Sequence, residues 1–219
     1  MSSTSTPLAV LDLVPVSTGS TAGQALRNSL DLVHRAEQLG YSRYWFAEHH
    51  FNPGAAGTSP AVVLALAATV TSAIRLGSGA LQLGHRTALS VVEEFGLLDA
   101  VHPGRFDLGL GRSGGPAERG TPATEGVAEA VKGRAPNGLL IPGRHSNEHL
   151  YRSPRLALHR RLLQLPGAES QAYDRQVADI LALLAGTYAP DAGFETQSAP
   201  HPKSPSSCGP CGPPRRRMS

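Results

Sequence analysis

The sequence predicts an α/β protein built on parallel strands, and three observations carry that prediction. Short apolar runs begin near residues 8, 43, 74 and 105, at intervals of 31 to 35 residues. Between successive runs lie segments whose apolar residues recur at helical spacing. Strand–helix units of that length imply parallel strands joined by right-handed crossovers. Two architectures fit four such units: a doubly wound open sheet, or part of an eight-unit barrel.

Taken in order, residues 1–7 are small and polar and read as frayed. Leu8 to Val14 is an apolar run stopped by Pro15, as a buried strand would be. Ser17 to Gly23 is a turn-rich loop. A helix is expected from about Ala25 to Leu39, with Leu26, Leu30 and Val33 on one face and Gly40 as its stop. Arg43 to Ala47 is the second strand, closed by a turn at Asn52-Pro53-Gly54. Ser59 and Pro60 have the residue types of a helix N-cap and first position, and the Ala/Leu-rich helix after them runs through Thr71. Ile74 to Leu83 contains the third strand. A helix from about Ala88 to Val101 follows, and Pro103-Gly104 turns the chain into a fourth strand, Arg105 to Leu110.

After Gly111 the rhythm breaks. Residues 113–168 are rich in Gly, Pro and charge, with an apolar patch at Leu139-Leu140-Ile141 and a basic helical piece from Pro154 to Leu165. An excursion of that length is a functional or disordered insertion. Ala172 to Ala185 reads as a helix with Val177, Ile180, Leu181 and Leu184 on one face and Gly186 at its end. A fifth strand is due next and none is visible. Gln197 to Ser219 is dominated by Ser, Pro, Gly and Arg and reads as disordered. The expected organisation is a four-strand core over 1–112, an insertion loop region over 113–168, the fourth helix over 169–187 and a low-complexity tail over 188–219.

The formal net charge of +3 is not spread over the chain. Residues 1–112 carry 7 basic and 8 acidic groups and residues 113–195 carry 9 of each, so the excess comes from 4 basic groups in the last 24 residues. A body without a basic face argues against nucleic acid as a partner. No apolar run approaches the roughly 18 residues needed to span a bilayer, so no membrane-spanning helix is expected in this sequence. The first residues lack a basic region followed by an apolar core, so a cytoplasmic location is expected. Both cysteines, Cys208 and Cys211, lie near the C-terminus, and the body has no disulfide framework.

Three motifs bear on chemistry. Glu48-His49-His50 sits where the second strand gives way to its turn, and titratable groups at the carboxyl end of a buried strand are typical of α/β active sites. Adjacent side chains on an extended chain point to opposite faces, so a three-ligand metal site from this tripeptide alone is not expected. One histidine facing the site and the other packing outward is the simpler geometry; loop histidines without chemistry are the alternative. Gly109-Leu110-Gly111-Arg112-Ser113-Gly114 matches G-x-G-x-x-G, but Pro116 and a glycine-rich loop follow instead of a helix. A strand-end anion site using Arg112 and free backbone N–H groups fits better. Cys208-Gly209-Pro210-Cys211 is followed by Gly212-Pro213-Pro214, which cannot continue the helix a redox motif requires, and two sulfurs cannot close a zinc tetrahedron.

Residues 8–112 resemble the bacterial luciferase-like family of flavin-dependent monooxygenases. The resemblance is carried by Phe46-Ala47-Glu48-His49-His50-Phe51, Ile74-Arg75-Leu76-Gly77-Ser78-Gly79-Ala80, Ser90-Val91-Val92-Glu93-Glu94-Phe95 and Gly104 through Arg112, in that order. It continues more loosely to the helix ending near Gly186. It implies a (β/α)8 TIM-type barrel of which this chain supplies the first four units, with two open sheet edges and an apolar interior facing water. It also implies reduced FMN supplied by a separate flavin reductase, O2 and a small organic, aldehyde-like substrate, and association as a homo- or hetero-dimer. By position His49 would be the base or hydrogen-bonding group beside the flavin, and imidazole changes protonation near working pH. Gly79 and Ala80 fall where the family has a non-prolyl cis peptide against the flavin ring. Arg112 falls where an arginine faces the flavin phosphate, which its planar fork suits. Gly111 stands where luciferase has a reactive cysteine, so no thiol chemistry carries over. The missing later units make a truncated or frame-shifted product the expectation, with an inactive remnant or flavin-binding partner subunit as the alternative to an enzyme.

Overall fold

The computed structural model describes residues 6–112, 133–141, 154–169 and 171–189. Four short strands, β1 (Ala9–Asp12), β2 (Arg43–Phe46), β3 (Arg75–Ser78) and β5 (Phe106–Asp107), form one parallel sheet in sequential order. Their register runs Asp12 to Phe46, Phe46 to Ser78 and Leu76 to Phe106. Helices α1 (Ala22–Gln38), α2 (Pro60–Thr69) and α3 (Ala88–Val101) supply the three crossovers.

Burial alternates along the strands. Tyr44, Phe46, Leu76 and Ser78 are fully buried, whereas Leu11 is 58% exposed and Trp45 half-buried. The helices therefore cover one face, and a single apolar cluster including Val33, Tyr44, Phe46, Leu64, Leu76, Val91 and Val92 fills the space between the layers. Buried Asp12 is satisfied by donors from Val14 N (2.7 Å) and Tyr44 Oη (2.6 Å). Burial first, and then the Asp12 carboxylate, push the Tyr44 phenol above its ordinary range.

The uncovered face is mixed: Leu11 and Trp45 leave apolar surface on it, and a charged layer lies beside them. Arg43 and Arg75 converge there on Asp107 from neighbouring strands, Arg43 at 2.9 Å. The Arg75 guanidinium chiefly, and Arg43 after it, hold the Asp107 carboxyl below its usual range against the opposing effect of burial. Beyond that charged layer Trp45 lies across β3, where a Cβ on Gly77 would come within 2.4 Å of the indole.

The fourth strand is broken, not continuous as the sequence implies. β5 pairs with β3, while β6 (Leu110–Gly111) pairs with a separate short strand, β4 (Leu81–Gln82). The break follows from β3, whose chain turns out of the sheet at Gly79-Ala80. Ser78 replaces the lost ladder bonds: its Oγ donates to Gly109 O (2.9 Å) and accepts from Gly109 N (3.0 Å). Only glycine fits at 109, since a Cβ would lie 2.2 Å from Ser78 O.

α1 begins three residues before its expected start because Thr21 caps it, accepting from Gln24 N at 3.2 Å. Within the region expected as an insertion loop, β7 (Gly133–Arg134) and β8 (Leu140–Ile141) form a small antiparallel hairpin and α4 (Pro154–Leu163) a helix. α5 (Tyr173–Ala185) packs on α3, burying Ile180 and Leu183, and ends at Gly186 with φ 66°. No helix among the described residues is long and apolar enough to cross a membrane. Of the expected tail, Tyr188 packs against the core, and the residues from 190 on, with Cys208 and Cys211, lie outside the described residues.

Candidate active site at the carboxyl end of the sheet

Three segments leaving the sheet converge at one end: 47–57 after β2, 79–86 after β3 and 108–112 after β5. The first is tied back to the strand-end loop of β1, with Val16 N donating to Gly54 O (3.0 Å) and Ala56 N to Val14 O (2.9 Å). Asn52 builds the turn by accepting from Gly54 N at 3.0 Å.

Glu48 is the hub. It is 3% exposed, and its Oε1 accepts from His50 Nε2 (2.8 Å), His85 Nε2 (3.1 Å) and Arg86 Nη2 (3.3 Å). Its Oε2 accepts from Gln82 N at 2.7 Å, and Gln82 Nε2 returns a bond to Glu48 O at 2.7 Å. Burial alone would raise the Glu48 pKa. The bonds from His85, the Gln82 amide and His50, with the charge of Arg86, outweigh that and lower it to about 2. Arg86 also grips Glu94 of α3 through both carboxylate oxygens at 3.1 and 3.0 Å. Glu48, His50 and His85 offer three ligand atoms within 4.8 Å of one another, which is a metal-binding composition. A guanidinium shares the same carboxylate oxygen and a backbone amide takes the other, so the arrangement is a hydrogen-bonded ion cluster.

Glu48 and His50 turn to the same side and meet, and His49 is not part of their cluster. Half-buried His49 is held through its backbone, N–H to Gly57 O at 2.8 Å, and its ring makes no hydrogen bond among the described residues. The Gly79-Ala80 peptide is cis, as the resemblance implies, and both residues are half-buried. Gly79 N donates to Phe46 O at 2.8 Å, which ties this segment to the end of β2. Exposed Arg112 directly follows β6, whose Gly111 sits beside Gln82, and a Cβ on Gly111 would come within 3.2 Å of Ala80 Cβ. The Glu48–Gln82 clamp and the β4–β6 pairing thus bring His49, Gly79-Ala80 and Arg112 to one end of the sheet.

Several contributors were not picked out from the sequence. His85 and Arg86 complete the Glu48 cluster, and the available signal was their position just before Thr87, the N-cap of α3, at the same strand-end level as Glu48. Gln176 of α5 is 3% exposed and donates to Leu83 O (3.2 Å) and Arg86 O (2.8 Å), bracing the loop that carries both. Gln164 donates to Gly84 O at 2.7 Å. The His159 ring of α4 lies 5.7 Å from that of His50 and 5.6 Å from that of Phe51. Tyr173 Oη donates to Leu110 O at 3.2 Å, and the Arg112 guanidinium carbon lies over the Tyr173 ring. No local sequence pattern announces these contacts.

The sequence model of luciferase-like monooxygenases matches residues 6–130. The chain belongs to that family. A luciferase-like monooxygenase of Escherichia coli (strain K12) is 44% identical over 110 residues, covering 50% of this chain and 33% of the relative. The N-acetyl-S-alkylcysteine monooxygenase of Bacillus subtilis (strain 168) is 42% identical over 118 residues, covering 54% of this chain and 35% of the relative. The crystal structure of apo-MsnO8 superimposes with a TM-score of 0.59 at 29% identity, covering 91% of this chain and 46% of that one. The chain spans about a third of the length of the curated luciferase-like relatives it matches.

Proposed function

We propose that this chain carries the first four βα units of a luciferase-like (β/α)8 barrel and serves an FMN-dependent monooxygenase reaction on a small organic, aldehyde-like substrate. A separate reductase would supply the reduced flavin, and the working particle would be a homo- or hetero-dimer. The observation that carries the reading is the convergence of His49, the Gly79-Ala80 backbone and Arg112 at the carboxyl end of a sequentially ordered sheet.

The residues fit the cofactor. Gly79 and Ala80 carry nothing larger than a methyl group and are only half-buried, which leaves their backbone open to a planar ring. Leu11 and Trp45 lie against Gly79 and make the floor beneath it apolar. Arg112 is exposed and, among the described residues, has no carboxylate partner, so its fork is free for a phosphate. Reduced FMN, when bound, supplies the electrons that activate O2.

The chain's own residues divide the remaining work. His49 offers an imidazole with no competing hydrogen bond among the described residues, free to give or take a proton at the reacting centre. Glu48 is a positioning group: it locks the 47–50 segment onto Gln82, so His49 and Gly79-Ala80 keep one spacing. The apolar floor keeps water from one side of the site.

The test uses the full chain with reduced FMN, labelled O2 and a long-chain aldehyde, reading incorporation of the label into product, because reduced flavin consumes O2 unaided. His49→Ala is expected to lower incorporation by about 100-fold while FMN still binds. Unchanged incorporation removes His49 from its role, and absence of flavin binding by the folded chain sinks the enzyme reading.

A further inference from the structure

The guanidinium carbon of Arg112 lies 4.9 Å from the centre of the Tyr173 ring, inside the range of cation–π attraction. The two residues come from opposite sides of the 113–168 region, so the contact is purely tertiary. The ring is itself anchored. Tyr173 Oη donates to Leu110 O at 3.2 Å, in the short strand that directly precedes Arg112. Tyr173 also opens α5, which Gln176 fastens to Leu83 O and Arg86 O. One aromatic ring is thus fixed to the strand bearing the arginine and to the loop bearing the Glu48 cluster. A guanidinium held over a ring face by cation–π attraction still carries N–H groups that can meet an anion, and its fork matches the geometry of a phosphate.

We propose that Tyr173 is a positioning residue that holds Arg112 ready for a phosphate monoester, and so makes the site prefer FMN to riboflavin. The inference rests on the reading of Arg112 as the group that meets the flavin phosphate. Without the ring, Arg112 is a long exposed side chain that must lose its rotational freedom when the anion binds. With it, part of that ordering is already done.

The experiment compares FMN with riboflavin, which lacks the phosphate, by flavin-fluorescence titration of the full chain. The unaltered chain is expected to prefer FMN, and Arg112→Ala to abolish the preference. Tyr173→Ala and Tyr173→Leu should weaken FMN binding about two- to fivefold and leave riboflavin binding unchanged. Tyr173→Leu carries the test if the alanine variant fails to fold. Tyr173→Phe keeps the ring face, loses only the tie to Leu110 O, and should lose less of the preference than Tyr173→Leu.

A folded Tyr173→Leu chain with the full FMN preference overturns the inference, provided Arg112→Ala has lost it. Equal weakening of both flavins in Tyr173→Leu marks a structural role and overturns it as well, and so does a loss in Tyr173→Phe as large as in Tyr173→Leu. If the unaltered chain binds the two flavins equally, or Arg112→Ala keeps the preference, the phosphate reading itself has failed and the inference falls with it.

Discussion

Glu48 shows how much one buried carboxylate can organise. Two histidines, an arginine and a backbone amide from a segment some 34 positions away all donate to it. With its pKa lowered to about 2, Glu48 contributes stability that is complete above the ordinary carboxylate range and is lost as pH falls towards 2. Glu48→Gln should therefore cost about 3 kcal/mol at pH 7, with a smaller gap from the unaltered chain at pH 3. Urea denaturation of both proteins at the two pH values checks this, and an equal gap at both would show that charge is not what Glu48 contributes. Of the cluster, Glu48 and His50 were legible because they flank His49 at a strand end. His85 and Arg86 were not, because what recruits them is the approach of two loops.

At the scale of elements, helix and strand are joined by a device of the same kind. Glu37, in the last turn of α1, accepts from the backbone N–H groups of Ser72 (2.9 Å), Ala73 (2.6 Å) and Ile74 (2.8 Å) as the chain enters β3. Burial opposes its charge, and these three bonds with Arg105 outweigh burial and lower its pKa. Arg105 ties the same loop from the other side, donating to Thr71 O (3.0 Å) and Ile74 O (3.0 Å). Glu37→Ala leaves three amide groups without their acceptor and is expected to cost about 2 kcal/mol, read as a lower urea midpoint with an unchanged slope. A loss within the error of the midpoint would mean that water replaces the carboxylate at no cost. The elements themselves were largely legible, since α3 and the core of each major strand follow from apolar spacing. The split of the fourth strand was not, because it is set by the partner strand turning away at Gly79-Ala80.

For the whole molecule, the question is whether the first 112 residues and the final helix are separate units. Ile180 is 1% exposed and joins the same apolar cluster as Tyr44 and Phe46, and Gln176 reaches the site loop. The molecule should unfold as one cooperative unit. Trp45, the only tryptophan, reports on β2. Ile180→Ala is expected to destabilise by about 2–4 kcal/mol and to shift the Trp45 fluorescence transition together with the circular-dichroism transition. A Trp45 transition that stays in place while the helical signal moves would divide the chain into two domains.

The sequence by itself determined the α/β class, the parallel order implied by the repeat length, the family, and the strand-end positions of His49, Gly79, Ala80 and Arg112. These are properties of spacing and of residue type at a known point in a βα unit, and neighbours along the chain enforce them. Only the tertiary structure decided that Glu48 is the hub, that a charged layer lies on the uncovered face, and that Tyr173 reaches back to Arg112 across the 113–168 region. Each of those depends on side chains meeting over long separations, where the packing of whole elements sets the contact and the residues themselves carry no local mark of it.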